Sequence, residues 1–229
     1  MKKDYSSITI EGIELVMAID NIGGVGEKPA DFVKAPYDVV SYYGARTVLM
    51  EAMCGDAIPI IITLSNFCGE SALPKLIEGL NKAVSELSYP IEINGSTESN
   101  FDLVQSAITT QVIARRNVSS NRRYDSYCVI GKPLVGNEVT KESDYIVSLS
   151  DVEELLTLPY ISRVVPVGSK GIKWEFENSF DGAMTCDLDI YKSSGPSTCV
   201  LVEYDQKHFN HLESKFSHIL YRVSVENRD

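Results

Sequence analysis

The segment Asp20-Asn21-Ile22-Gly23-Gly24-Val25-Gly26-Glu27-Lys28 restricts the fold more than any other stretch. Its three glycines make a regular helix or strand costly and leave unusual backbone angles open, so the segment is expected to be a loop with polar ends. Upstream, Ile8, Ile10, Ile13, Leu15 and Val16 surround Glu11-Gly12, which predicts a β-hairpin over Ser7 to Ile19. Downstream of Pro36, Val39, Val40, Tyr43, Val48, Leu49, Ala52 and Met53 recur at helical spacing up to Gly55, which predicts a first helix. Asp20 is then placed at the mouth of a loop between a hairpin and a helix.

Strand and helix signals alternate from there. The apolar run Ile58 to Leu64 suits a buried strand, and Leu73, Leu76, Ile77, Leu80, Ala83, Val84 and Leu87 mark a second amphipathic helix. Pro90 to Asn94 reads as a short strand entering the polar turn Gly95 to Asn100, and Ser106 to Arg115 as another strand. The polar, basic run Arg115 to Arg123 is the best boundary for a second unit. Beyond it, strands are expected at Tyr127 to Ile130, Val164 to Val167, Asp187 to Tyr191 and Thr198 to Glu203. A capping box at Ser150-Asp151-Val152-Glu153 opens a short helix, and a helix carrying Phe209, Leu212 and Phe216 precedes a strand at Ile219 to Val225. The chain has neither an internal repeat nor a low-complexity segment.

Charge narrows the partners. With 21 Lys+Arg against 32 Asp+Glu, the net charge of −11 repels a polyanion, so nucleic acid is not the expected ligand. A nucleotide remains compatible, because a few carboxylates can hold magnesium that bridges phosphate oxygens. The five cysteines, Cys54, Cys68, Cys128, Cys186 and Cys199, contain no C-x-x-C pair and suggest neither a disulfide framework nor a zinc ribbon. No apolar run approaches the length of a membrane span, and a cytoplasmic setting is expected.

Three groups of residues could carry chemistry. Asp20 could coordinate magnesium, the amides of Gly23, Gly24 and Gly26 could approach phosphate oxygens, and Lys28 could offset developing charge, with Asp31 nearby. The glycine spacing fits neither the P-loop nor the dinucleotide fingerprint, so an ordinary turn is the first reading of the loop taken alone and phosphate binding the second. Gly95-Ser96-Thr97-Glu98 offers hydroxyls and a carboxylate that suit a ribose, a metal or a plain turn. Glu51, late in the first helix, faces either solvent or a site. His208 and His211, three apart, read as a solvated helix face, since nothing in the sequence supplies further ligands.

In order, Asp20, Gly23 to Lys28, the helix Ala45 to Glu51, Gly55-Asp56-Ala57-Ile58-Pro59, Gly95 to Glu98 and Thr109 to Ile113 resemble the superfamily of aminoimidazole-ribonucleotide synthetase and thiamine-monophosphate kinase. The resemblance covers about residues 8 to 116, half of the chain. It implies an α+β protein: an ATP-binding α/β domain over 1–118 whose strands form a barrel across a homodimer, and a shortened α/β substrate-side domain over 119–229. It implies ATP and magnesium, with Asp20, Lys28 and Asp31 in catalysis. Gly23, Gly24, Gly26, Lys28, Gly95, Ser96 and Thr97 would hold the nucleotide, and Asp20, Glu51 and Glu98 the metal.

Within that superfamily the wording Ile19 to Lys28, with Ala45 to Glu51 and Gly95 to Asn100, looks most like the α-ribazole kinase branch, which phosphorylates a 5′-hydroxyl in salvage of the cobalamin lower ligand. The competing expectations are an ATP-dependent synthetase or ligase of the same superfamily and a non-catalytic nucleotide-binding scaffold.

Overall fold

The structure, a computed structural model, describes residues 5–116 and 122–226, which fall into two compact units with those limits. The expected boundary at Arg115 to Arg123 lies largely outside the described residues. The first unit opens with β1 (Tyr5–Ile10) and β2 (Ile13–Gly23), joined by Glu11 and Gly12 at φ of 50° and 84°. Two positive φ angles are what a tight two-residue hairpin turn requires, because their twist matches that of the strands.

Two short strands, β3 (Val25–Gly26) and β4 (Val33–Lys34), pair in parallel inside the glycine loop. Helix α1 (Tyr37–Cys54) is followed by β5 (Ala57–Asn66), α2 (Leu73–Val84), β6 (Glu92–Thr97) and β7 (Ala107–Arg116). Their sheet has the order β1-β2-β7-β5-β6. Only its β5–β6 pair is parallel, the other pairs being antiparallel.

One face of this sheet is covered and one is not. Val16 and Ala18 on β2, Ile62 and Leu64 on β5 and Val112 on β7 are buried, as are Ala45, Val48 and Leu49 on α1 and Leu76 and Leu80 on α2. Each large apolar side chain removed from water there contributes about 1.5–3 kcal/mol. The opposite face carries Ile8, Ile10, Ile13, Ile19 and Ile58, of which Ile19 is 57% exposed. The run Ile58 to Leu64 is therefore half-buried and not wholly buried: its residues alternate across a sheet covered on one side. The sheet does not close on itself within the protomer.

The second unit contains β8 (Ser126–Ile130), α3 (Glu138–Lys141), α4 (Leu149–Thr157), β9 (Ile161–Pro166), α5 (Gly171–Ser179), β10 (Ala183–Thr185), β11 (Val200–Tyr204), α6 (Phe209–Phe216) and β12 (Leu220–Glu226). The strands make an antiparallel sheet of order β10-β12-β8-β11-β9. Its strand β11 is buried at every position, and Ile172 and Phe176 of α5 pack with Val129 and Leu201 in one cluster.

Three local expectations are corrected here. The capping box belongs to Ser148 and Asp151, which hydrogen-bond each other's backbone N–H, so the helix starts two residues before the predicted Ser150. Asp187 to Tyr191 is a turn region with no strand pairing. Gly95 to Thr97 continues β6, because Leu64, Ser65 and Asn66 offer a parallel partner that outweighs the turn propensity of the small residues. No helix among the described residues is long and apolar enough to cross a membrane.

Candidate functional site

The glycine loop leaves β2 later than its composition predicts. Asp20 pairs with Thr110, Asn21 with Thr109 and Gly23 with Ala107, so Asp20 stands inside the strand, three residues before its end. It shares the helix-covered face with Val16 and Ala18 because side chains alternate along a strand. Gly44 brings α1 close to the sheet at this level: a Cβ there would lie 3.2 Å from both Ile22 Cδ1 and Thr110 Oγ1.

Burial pushes the Asp20 carboxyl above its ordinary range, and the Asn21 N–H offsets only part of that. Beside it, Thr110 is 1% exposed and its Oγ1 finds no hydrogen-bond partner. An orphan buried hydroxyl costs about 1–3 kcal/mol, which marks this spot as one where stability is not the only demand.

The loop beyond Gly23 is clamped by Asp31, a residue only 6% exposed. Its Oδ1 accepts from Ser106 N at 2.7 Å, and its Oδ2 accepts from Ser106 Oγ at 2.7 Å and from Lys28 N at 2.9 Å. Burial by itself would raise this carboxyl, but the donors at Ser106 and Lys28 more than compensate and hold it below the usual carboxylate range. Tyr37 Oη shares Ser106 Oγ at 3.0 Å. Gly26, at φ 155°, must lack a side chain, since a Cβ would sit 2.5 Å from Ser106 Oγ and 2.8 Å from Tyr37 Cε1. Glu27 accepts from Tyr37 N at 3.2 Å, satisfying a free amide at the start of α1, and is held by Lys75 at 2.8 Å.

The remaining expected residues divide into two groups. Lys28 Nζ donates to Leu103 O at 2.7 Å and Phe67 O at 3.3 Å. Thr97 Oγ1 accepts from Asn66 Nδ2 at 3.1 Å, so adjacent residues of one chain segment, Asn66 and Phe67, tie the glycine loop and the end of β6 to the same edge. Gly24 N is committed to Ser106 O at 2.8 Å. Gly95, Ser96 and Thr97 thus belong to the same end of the sheet as Gly23, Gly24, Gly26 and Lys28.

Glu51 and Glu98 stand apart from Asp20, the first farther along α1 and the second at the same end of the sheet but across it. Glu51 lies two helical turns beyond Gly44, roughly 10 Å along α1 at 1.5 Å per residue. Glu98 follows β6, three strands from β2, and its Oε1 accepts from Asn100 N at 2.7 Å and Phe101 N at 3.3 Å. These N–H donors lower its pKa and close a turn. Among the described residues no group of three or more His, Cys, Asp or Glu side chains could hold a metal ion. A single carboxylate nevertheless suits magnesium, which binds through one or two carboxylates and completes its shell with phosphate oxygens and water.

Ser106 and Thr110 carry the clamp and the orphan hydroxyl, and no local sequence signal points to either. Ser106 meets Asp31 across 75 positions.

No protein-family profile and no curated protein matches the chain by sequence. Solved structures do match its fold. The protein tt0281 from Thermus thermophilus superposes with a TM-score of 0.65 at 13% identity, covering 98% of this chain and 87% of its own. Thiamine monophosphate kinase from Aquifex aeolicus superposes with a TM-score of 0.65 at 11% identity, covering 98% and 89%. Hydrogenase maturation protein HypE in complex with ATP gives 0.62 at 13% identity, covering 92% and 76%. The chain has the fold of the aminoimidazole-ribonucleotide-synthetase-like proteins, mixed α/β, along nearly its whole length.

The Asp31 clamp makes a prediction with a definite sign. Its folded pKa is depressed, so its contribution is present above the ordinary aspartate pKa and is lost as pH falls through the lower folded value. Asp31→Ala should lower stability by about 3 kcal/mol at neutral pH. In urea unfolding, the gap between variant and wild type should shrink once the pH falls through that range. A gap independent of pH would mean the carboxylate is not what holds the loop.

Proposed function

We propose that the chain is an ATP- and magnesium-dependent phosphotransferase, working as a homodimer, that phosphorylates the 5′-hydroxyl of a nucleoside-like acceptor, α-ribazole being the acceptor its sequence wording favours. The observation that carries this reading is the polar pair at Asp20 and Thr110. A desolvated carboxylate, with no cationic side chain against it among the described residues, and a buried hydroxyl with no partner stand beside a glycine loop braced onto the sheet. Such a pair is stabilised by a bound cation and its ligands. The structural likeness to a thiamine monophosphate kinase and to a maturation protein solved with ATP supports the same nucleotide chemistry.

In this reading Asp20 helps hold magnesium, which neutralises charge on the phosphates, while the amides of Gly23 to Gly26 and the Gly95 to Thr97 edge flank the nucleotide. Lys28 releases its carbonyls to contact a phosphate. Asp31 serves the chemistry by fixing the loop through Ser106. Phosphoryl transfer asks mainly for positioning and charge neutralisation, so a rigid loop is the larger part of what the protein must supply.

The second reading is an ATP-dependent synthetase, which would use the same nucleotide site. Products separate the two. With ATP, magnesium and α-ribazole the kinase yields ADP and a stable phosphoester, whereas a synthetase also releases free phosphate. Asp20→Asn should reduce ADP release on the order of 100-fold or more without unfolding the chain, and turnover at the wild-type rate would remove Asp20 from the site.

The homodimer reading is supported by the uncovered sheet face bearing Ile8, Ile10, Ile13, Ile19 and Ile58, which a second copy would remove from water. Sedimentation equilibrium should give a dimer at micromolar concentration and a monomer for Ile19→Glu. A monomeric wild type would contradict the shared-barrel arrangement.

A further inference from the structure

The sequence contains one Asn-Gly step, Asn94-Gly95, and it falls on β6, the edge strand of the first sheet. Glu98 N donates to Asn66 O at 2.8 Å. Backbone amides alternate in direction along a parallel strand, so those of even-numbered residues face β5 and that of Gly95 faces the open edge. Gly95 N donates instead to the amide oxygen of its own neighbour, Asn94 Oδ1, at 2.8 Å. That contact sets the Gly95 nitrogen beside the side-chain carbonyl group of Asn94. Both residues are exposed in the single chain, and among the described residues no hydrogen bond restrains Asn94 Nδ2.

We propose that Asn94 is a site of spontaneous modification, in which its side-chain amide is converted to an acid through the Gly95 backbone nitrogen. Gly95 N loses its proton to water or hydroxide and attacks Asn94 Cγ. The new N–Cγ bond closes a five-membered imide, the Cγ–Nδ2 bond breaks, and the nitrogen leaves as ammonia after taking a proton from water. Water then opens either imide C–N bond to give aspartate or isoaspartate. No oxidant or enzyme is needed.

The edge position makes the reaction accessible. Only one side of β6 is held by a ladder, so local opening costs little, and glycine offers no Cβ to obstruct the ring. The consequence falls on the neighbouring residues. Asn94 lies opposite Thr63 on the uncovered face, where aspartate adds a charge. Isoaspartate lengthens the backbone just before Gly95, Ser96 and Thr97, and so works against their register with Leu64, Ser65 and Asn66.

The test needs no assumption about ATP. The full chain is incubated at neutral and alkaline pH in isotopically labelled water, then mapped by peptide mass and by an isoaspartate assay. Wild type is compared with Gly95→Ala and Asn94→Gln. Alanine fits at 95, where a Cβ would meet Leu64 Cβ and O at 3.4 Å, ordinary contact. Label should enter Asn94 before any other asparagine, faster at higher pH, and on the order of tenfold more slowly in Gly95→Ala because the added Cβ hinders ring closure. Asn94→Gln should leave position 94 unlabelled over the same period. Label spread evenly over the asparagines, absent from Asn94, or entering at equal rates in wild type and Gly95→Ala would overturn the proposal.

Discussion

One buried carboxylate determines where the glycine loop can go. Asp31 gathers the backbone and hydroxyl of Ser106 and the backbone of Lys28, three donors from two distant segments, onto two oxygen atoms. Hydrogen bonds to an ionised acceptor are among the stronger polar interactions, and here they act away from water. With the loop fixed, Gly26 lies against Ser106 and Tyr37 at a distance that permits no side chain, and Glu27 reaches the first amide of α1. Loop, helix start and the first residues of β7 then behave as one unit.

The clamp gives Asp20 and Thr110 their significance by contrast. The Asp31 and Glu27 carboxylates and the Gly24 and Lys28 N–H groups all have partners in the protein, whereas the Asp20 carboxylate accepts from Asn21 N and the Thr110 hydroxyl has no partner among the described residues. Under the proposed function, this contrast between the braced loop and the half-buried Asp20 with the orphan Thr110 hydroxyl is what a ligand site would show. The nucleotide and metal proposed above would give both groups a partner, on a fold that resembles an ATP-bound maturation protein and a thiamine monophosphate kinase.

Much of the first unit was legible because its signals are local. The hairpin at Glu11-Gly12, the span of α1 between Pro36 and Gly55, and the strand over Ser106 to Arg115 follow from turn chemistry and periodicity. What failed depended on distant partners. Composition placed Asp20 at a loop mouth, but pairing with Thr110 draws it into β2, and pairing with β5 extends β6 through Gly95 to Thr97. The distances of Glu51, along a helix, and Glu98, three strands across the sheet, from Asp20 are likewise set by topology that no spacing in the sequence encodes. Ser106 was invisible for the same reason, since a serine at a strand start carries no mark of the aspartate it will bind.

The central claim is that a nucleotide occupies the loop end of the first sheet. Hydrogen–deuterium exchange of the wild-type chain, with and without ATP and magnesium, reads that location directly. The account predicts slowed exchange at amides of residues 23–28 and 95–97, with residues 5–10 unchanged. Protection that appears only within residues 122–226, or no nucleotide-dependent protection anywhere, would contradict it.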